Sequence, residues 1–304
     1  MSDKKCIIIL SEKSSGSSAL QNLLVKFADG QHISKTRHFE NETLYWTKAA
    51  SILDRPQLAM VDSEVPIGRK KARGELISLL KDNLNYYVPP VDDKELIIEG
   101  WRLLCNKYSP IFLEKSPHHL CQWSAIELII ECIRQVTDVE FLLIGLIRNP
   151  MDTLYSQFKR WGSRPEEVQK QWLIAYQNLL TLKEIMGEQL VVVCYENMVS
   201  SLVYLEPVFN FCGKTADAAD KTYLHQKSLQ KWKTDSHFGF SLSNEVIELA
   251  CKYGYQKDEL VRDTYQLWPL IRELSRARCR VKVLLKKVIR NGPKAIKPGL
   301  FRKN

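Results

Sequence analysis

The sequence predicts an α/β fold, a single domain with a central parallel sheet flanked by helices. Three observations carry this. Four apolar runs, at 6–10, 111–113, 141–147 and 190–195, are continuous rather than alternating, as strands buried on both faces read. Between them lie segments of helical period, at 19–28, 44–53, 123–136 and 168–186. No internal repeat and no linker rich in Pro, Gly or Ser divides the 304 residues.

In chain order, the first strand is the run from Cys6 to Leu10, followed by "SEKSSGSSAL" and a helix starting near Ser17. A second helix covers 44–53. Residues 54–100 are the least regular stretch, with Pro56, Pro66, Gly68, Pro89 and Pro90, and read as an insertion beside a substrate site. In 168–186, Trp172, Leu173, Tyr176, Leu179, Leu180 and Lys183 keep steps of three and four.

The formal charge is +9, and it is unevenly placed. From residue 276 to the last there are eleven Lys or Arg and no acid, leaving 33 basic and 35 acidic groups in the first 275 residues. This divides the chain into a near-neutral domain, 1–275, and a basic tail, 276–304, which is cationic on one side if helical and apolar at Val281, Val283, Leu284, Leu285, Val288 and Ile289. It is either a solvated end or a contact for an anionic membrane surface; no recognised module accompanies the charge, so nucleic acid is not expected. The eight cysteines form no CxxC pair, no apolar run is long enough to span a bilayer, and no signal peptide opens the chain, so a reduced, cytoplasmic setting is expected.

In an open parallel sheet, ligands bind beyond the carboxyl ends of the strands. The stretch from Ser11 to Ser18 stands at such an end, where a helix N-terminus leaves unpaired N–H groups suited to an anion. Gly16 lets a ligand approach, Ser14, Ser15, Ser17 and Ser18 add hydroxyls, and Lys13 adds charge. The loop reads as a cradle for phosphate or sulfate, although the Walker pattern GxxxxGK[ST] is absent. After the run ending at Ile147 comes "RNPMDTLYSQFKRW", in which Asn149 suits a helix N-cap, Pro150 the first helical position, and Asp152 a capping box. Arg148 at the strand end and Ser156 a turn beyond Asp152 read as a second grip on a phosphate.

With these two motifs, the sequence resembles the sulfotransferase family, which has a P-loop-like fold and uses 3′-phosphoadenosine 5′-phosphosulfate as donor. The second motif fits the family's 3′-phosphate pattern in register from Arg148 to Ser156. The first fits its 5′-phosphosulfate loop at Ser15–Gly16–Ser17–Ser18, but Ser14 stands where the family has a basic residue, with Lys13 one place earlier. "FLEKSPHHL" at 112–120, "VVVCYENMVSSLVYLEPVFNFCG" at 191–213 and "HQKSLQKWKTD" at 225–235 are similar to three further family segments.

The resemblance implies sulfuryl transfer to a hydroxyl on a sugar, polysaccharide or glycolipid, with adenosine 3′,5′-bisphosphate as product and no metal. Lys13 and the Ser15–Ser18 amides would stabilise the leaving oxygen. For the base, the preference runs Glu40, then His38, then Glu42, although His38 also suits a core position and Glu42 a helix cap. Lys115, His118 and His119 are candidate acceptor contacts, the histidines otherwise reading as caps. Trp232 either stacks on adenine or belongs to the core; Lys231 and Lys233, with Lys227 behind them, either reach the 3′-phosphate or are surface charges. A P-loop kinase, which needs GK[ST] and an Mg²⁺-holding Asp, and a non-catalytic binding protein on the same scaffold are the alternatives.

Overall fold

A computed structural model describes residues 4–216, 219, 223–224, 228–262 and 267–291. The chain runs β1 (Lys5–Ser11), α1 (Ser17–Phe27), β2 (Gln31–His32), α2 (Tyr45–Ile52), α3 (Arg69–Asn83), α4 (Asp93–Lys107), β3 (Ile111–Lys115) and α5 (Trp123–Gln135). It continues through β4 (Glu140–Ile147), α6 (Pro150–Trp161), α7 (Pro165–Met186), β5 (Leu190–Cys194), α8 (Tyr195–Ser200) and α9 (Glu206–Phe211). The last elements are α10 (Lys231–Thr234), α11 (Asn244–Lys252) and α12 (Trp268–Asn291).

The five strands form one parallel sheet in the order β2-β3-β1-β4-β5. Strand side chains alternate between faces, so β1 feeds two cores. Cys6, Ile8 and Leu10 join a core with residues of α2, α4, α5 and α7, including the tilted pair Trp46 and Trp101 with ring centroids 4.7 Å apart. Ile7 and Ile9 join the other, with Leu20, Leu23 and Leu24 of α1 and Val208 and Phe209 of α9. Covering on both faces is why these strands are apolar without alternation.

The structure departs from the sequence reading in four places. The edge strand β2 is two polar residues long and offers no apolar run. About half of the stretch 54–100 is helical: it holds the fifteen residues of α3 and the first eight of α4. Its prolines lie in the loops around those helices, and α3 begins "RKKARGE", whose charges thin out the apolar stripe. Tyr195 opens α8 rather than closing β5. The division expected after Ser275 falls inside α12, where Arg276 is buried and donates from Nε to the carbonyl of Gly162 at 2.9 Å. Residues 292–304 lie outside the described residues, as do the side chains of Val283, Leu284, Val288 and Ile289.

The sheet meets α7 without a gap at Gly145, where an added Cβ would stand 2.4 Å from Leu179 Cδ1. Gly145→Ala is expected to lower stability by about 1–3 kcal/mol, the usual cost of overpacking, measured by urea unfolding at equilibrium. Unchanged stability would mean that Leu179 yields freely.

Candidate functional site

Pairing of β1 with β4 runs to Ser11 opposite Leu146. Beyond this point the chain leaves β1 toward β2 on one side of the sheet and leaves β4 toward β5 on the other. That divergence opens a crevice at the carboxyl ends, and both anion motifs stand at it.

The loop after β1 is fixed from behind. Tyr176 of α7 donates its hydroxyl to the carbonyl of Leu146 at 3.0 Å, and accepts from the Glu12 amide at 3.4 Å. With its one proton committed, it accepts from Ser15 Oγ at 3.0 Å. Glu12 is fully buried and accepts from Gln157 Nε2 and Cys121 Sγ, both at 3.2 Å. Burial raises the Glu12 carboxyl above its usual range, against the pull of Lys13. Ser14 and Gly16 take φ of 65° and 93°, and Gly16 forms the left-handed N-cap of α1 without a side-chain cap. The Ala19 and Leu20 amides both donate to the Gly16 carbonyl, at 3.0 and 3.1 Å, and the Ser17 and Ser18 N–H groups ahead of them have no carbonyl within the helix to receive them.

Arg148 extends its guanidinium into this loop. It donates to the Ser14 carbonyl at 3.0 Å and to the Ser228 carbonyl at 2.8 Å. Its Cζ lies 4.7 Å from the centroid of the Tyr195 ring. The same ring faces Gly16, where an added Cβ would stand 2.3 Å from Cδ2. Gly16 and Arg148 therefore share one side of the molecule and one aromatic partner. The Tyr195 and Ser228 hydroxyls are 3.1 Å apart. Arg148 Nε and Ser14 Oγ are buried and have no hydrogen-bond partner among the described residues. Donors left unpaired at a cost of about 1–3 kcal/mol each fit a bound anion.

At the start of α6, Asn149 Oδ1 accepts from the Met151 amide at 2.9 Å. The return contact expected of Asp152 comes from Glu196, which accepts from the Asn149 amide at 2.9 Å and from Tyr255 Oη at 2.8 Å. Asp152 is instead buried beside Arg148; burial pushes its carboxyl up to about 6 against the pull of that guanidinium. Ser156, half-buried, lies on the same helix one turn on. Trp232 is 1% exposed and belongs to the core. Lys231 and Lys233 are exposed, and Lys233 is close enough to lower the Asp152 pKa. Lys227 lies outside the described residues.

Lys13 turns the other way, bonding the carbonyl of Val61 and lying 5.9 Å from the centroid of the Trp161 ring. Here Glu40, Asn41 and Leu44 all have positive φ, at 52°, 59° and 51°, a conformation that persists only when its surroundings over-determine it. They do so here. Ser116 Oγ accepts from the amides of Thr43 and Leu44, and Glu114, fully buried, accepts from Ser116 at 2.6 Å and Thr43 at 2.7 Å. Lys115 Nζ binds the Glu40 carbonyl at 2.9 Å. Burial raises Glu114, but His119, Ser116 and Thr43 outweigh it and hold the carboxyl low.

The candidate bases separate on this scaffold. Glu40 accepts from Ser18 and, at 2.8 Å, from Arg160; these bonds outweigh its burial and hold its carboxyl below the usual range. Glu42 is raised by burial against the pull of Lys115, whose Nζ lies 3.5 Å away. His118 Nδ1 is 3.6 Å from Glu42 Oε2, and burial, then Lys13, push its pKa well below the usual value. His119 is buried against Glu114 at 3.3 Å and faces the core. His38 lies beside Glu64 and Glu75, a grouping able to hold a metal ion, but Lys48 Nζ stands among them, 2.9 Å from His38 Nε2 and 3.4 Å from Glu75. Burial and then Lys48 lower its pKa.

Tyr195, Glu196, Tyr176 and Glu12 are the site residues missed from sequence. The "YEN" turn within 191–213 was the available signal for the first two.

Asp152 gives a test by pH. A carboxyl at about 6 when folded, against 3.8 when free, takes up a proton on folding between those values. Stability from this group therefore falls as pH rises through that window and stays low above it. Asp152→Asn is expected to melt higher than wild type at neutral pH, by at most about 3 kcal/mol, and no differently below about pH 4. An equal difference at both pH values would contradict the assignment.

The sequence model described as "Sulfotransferase family" matches residues 6–217. Among solved structures, a sulfotransferase from Alicyclobacillus acidocaldarius is similar at 13% identity and a TM-score of 0.44, covering 88% of this chain and 99% of that one. Sulfotransferase STF9 from Mycobacterium avium is similar at 13% identity and a TM-score of 0.38, covering 93% of this chain and 77% of that one. No curated protein matches. With the family matched over more than half its length, the chain belongs to the sulfotransferase family.

Proposed function

We propose that this sulfotransferase takes the sulfuryl group from 3′-phosphoadenosine 5′-phosphosulfate and passes it to a hydroxyl of a sugar, polysaccharide or glycolipid. The observation that carries the donor assignment is the meeting of Gly16 and Arg148 on the Tyr195 ring. Two anion grips on adjacent strand ends suit a nucleotide with phosphates on its 5′ and 3′ oxygens. Gly16, Ser17 and Ser18 would hold the 5′ end, and Arg148, with Ser156 and Lys233, the 3′ phosphate. The donor supplies an activated sulfuryl group; what the protein contributes is position and charge.

The wall beyond Lys13 supports the acceptor class. Lys115, Glu40, Glu42, His118, Arg160 and Asp62 line that side, charged groups suited to a polyhydroxyl compound rather than an apolar ring system. Within it, Glu42 is our base. Its raised pKa lies nearer the working pH than that of Glu40, whose oxygens are already engaged. Lys115 lies 3.5 Å and His118 3.6 Å from the Glu42 carboxylate, while Lys13, committed to the Val61 carbonyl, would have to swing back to serve the leaving oxygen.

Calorimetry with adenosine 3′,5′-bisphosphate in the absence of Mg²⁺ tests the donor half. Binding that Arg148→Ala weakens about tenfold or more supports it; binding that requires ATP and Mg²⁺ sinks it in favour of a kinase. Transfer of labelled sulfate to glycan acceptors tests the base. Glu42→Gln is expected to lower kcat about 10²- to 10⁴-fold with bisphosphate affinity unchanged. Full activity in Glu42→Gln alongside a dead Glu40→Gln would return the role to Glu40, and tight nucleotide binding with no transfer would leave a non-catalytic binder.

A further inference from the structure

We propose that α12 is an interfacial helix that seats the protein on an anionic phospholipid bilayer. One side of this helix is docked. Trp268 packs edge-on against Phe238 with centroids 5.1 Å apart, Arg276 bonds Gly162, and Cys279 Sγ lies 3.5 Å from the Lys159 carbonyl.

The opposite side is apolar and open. Leu270, Leu274, Val281 and Leu285 are 62%, 57%, 54% and 55% exposed. At about 100° per residue, their spacing gathers all four within an arc of about 60°. Large apolar side chains aligned on one face over four turns are not the scattered exposures usual at a protein surface.

The charge around the stripe selects its occupant. The segment beginning at Arg276 carries eleven Lys or Arg and no acid. A second copy of the chain would bring an equally cationic helix against this one, whereas an anionic leaflet complements it. No helix among the described residues is long and apolar enough to cross a membrane, so the predicted mode is α12 lying in the plane of the interface, apolar stripe inward, with basic groups at the headgroups. The inference stands apart from the choice of donor and acceptor.

Cosedimentation of the full chain tests it, using phosphatidylcholine vesicles with and without about one part in three phosphatidylserine. Wild type is expected to pellet with the mixed vesicles, not with pure phosphatidylcholine, and to be released progressively as salt rises. The variant Leu270→Glu/Leu274→Glu/Leu285→Glu, at positions more than half exposed, is expected to lose roughly tenfold or more in binding. Circular dichroism and the melting midpoint check that it folds, and the milder Leu274→Ala/Val281→Ala pair is expected to lose binding in the same direction. Three results would each overturn the proposal: wild type left in the supernatant, equal pelleting of wild type and triple variant, or a wild-type dimer that the triple variant dissolves without loss of vesicle binding.

Discussion

The site hangs on the parallel pairing of β1 and β4, carried through to Ser11 opposite Leu146. That register sets two strand ends level, so the loop from Glu12 to Gly16 and the side chain of Arg148 emerge side by side. The arginine then closes the gap by donating to the Ser14 carbonyl. A slip of two residues would keep both strands buried, since the side-chain period is two, yet would draw Arg148 away from the loop. Tyr176 guards against it, because its one hydroxyl binds the carbonyl of Leu146 and reaches Glu12 and Ser15 of the loop at once.

Different constraints govern the two halves of the crevice. On the side of Gly16 and Arg148, buried donors are left over: Arg148 Nε and Ser14 Oγ have no hydrogen-bond partner among the described residues. On the side of Glu40 and Glu42, three positive-φ residues are pinned by hydrogen bonds converging on Ser116 and Glu114. Burying a carboxylate is expensive unless its oxygens are satisfied; Glu114 Oε1 is satisfied by Thr43, Ser116 and His119, while Oε2 has no partner among the described residues. The outcome is a rigid turn carrying Glu40 and Glu42 with different neighbours and opposite pKa shifts.

How much of this was legible in the sequence depended on whether the signal was local. The four longer strands and the two anion motifs are each contained in a few consecutive residues, and Asn149 and Pro150 announce the start of α6 in the same way. What joins the motifs is long-range and left no local trace. Tyr195 lies 47 positions from Arg148 in a turn whose polar ring reads as ordinary strand chemistry, and Tyr176 follows the apolar stripe of α7 as any core residue would. The preference for Glu40 over Glu42 had no local signal to correct it. The chain there bends through left-handed conformations, and Arg160, 120 residues away, takes up Glu40. The helices α3 and α4 were hidden because proline marks the loops around them and charge dilutes the stripe of α3.

Phosphorus NMR of adenosine 3′,5′-bisphosphate, titrated with the protein in magnesium-free buffer, examines the shared cradle most directly, because each phosphate gives its own line. Both lines are expected to move with wild type, and Arg148→Lys is expected to return the 3′ line toward its free position while leaving the 5′ line displaced. A nucleotide of which only one phosphate responds, or a 3′ line indifferent to Arg148→Lys, would contradict the joining of the two anion grips in one site.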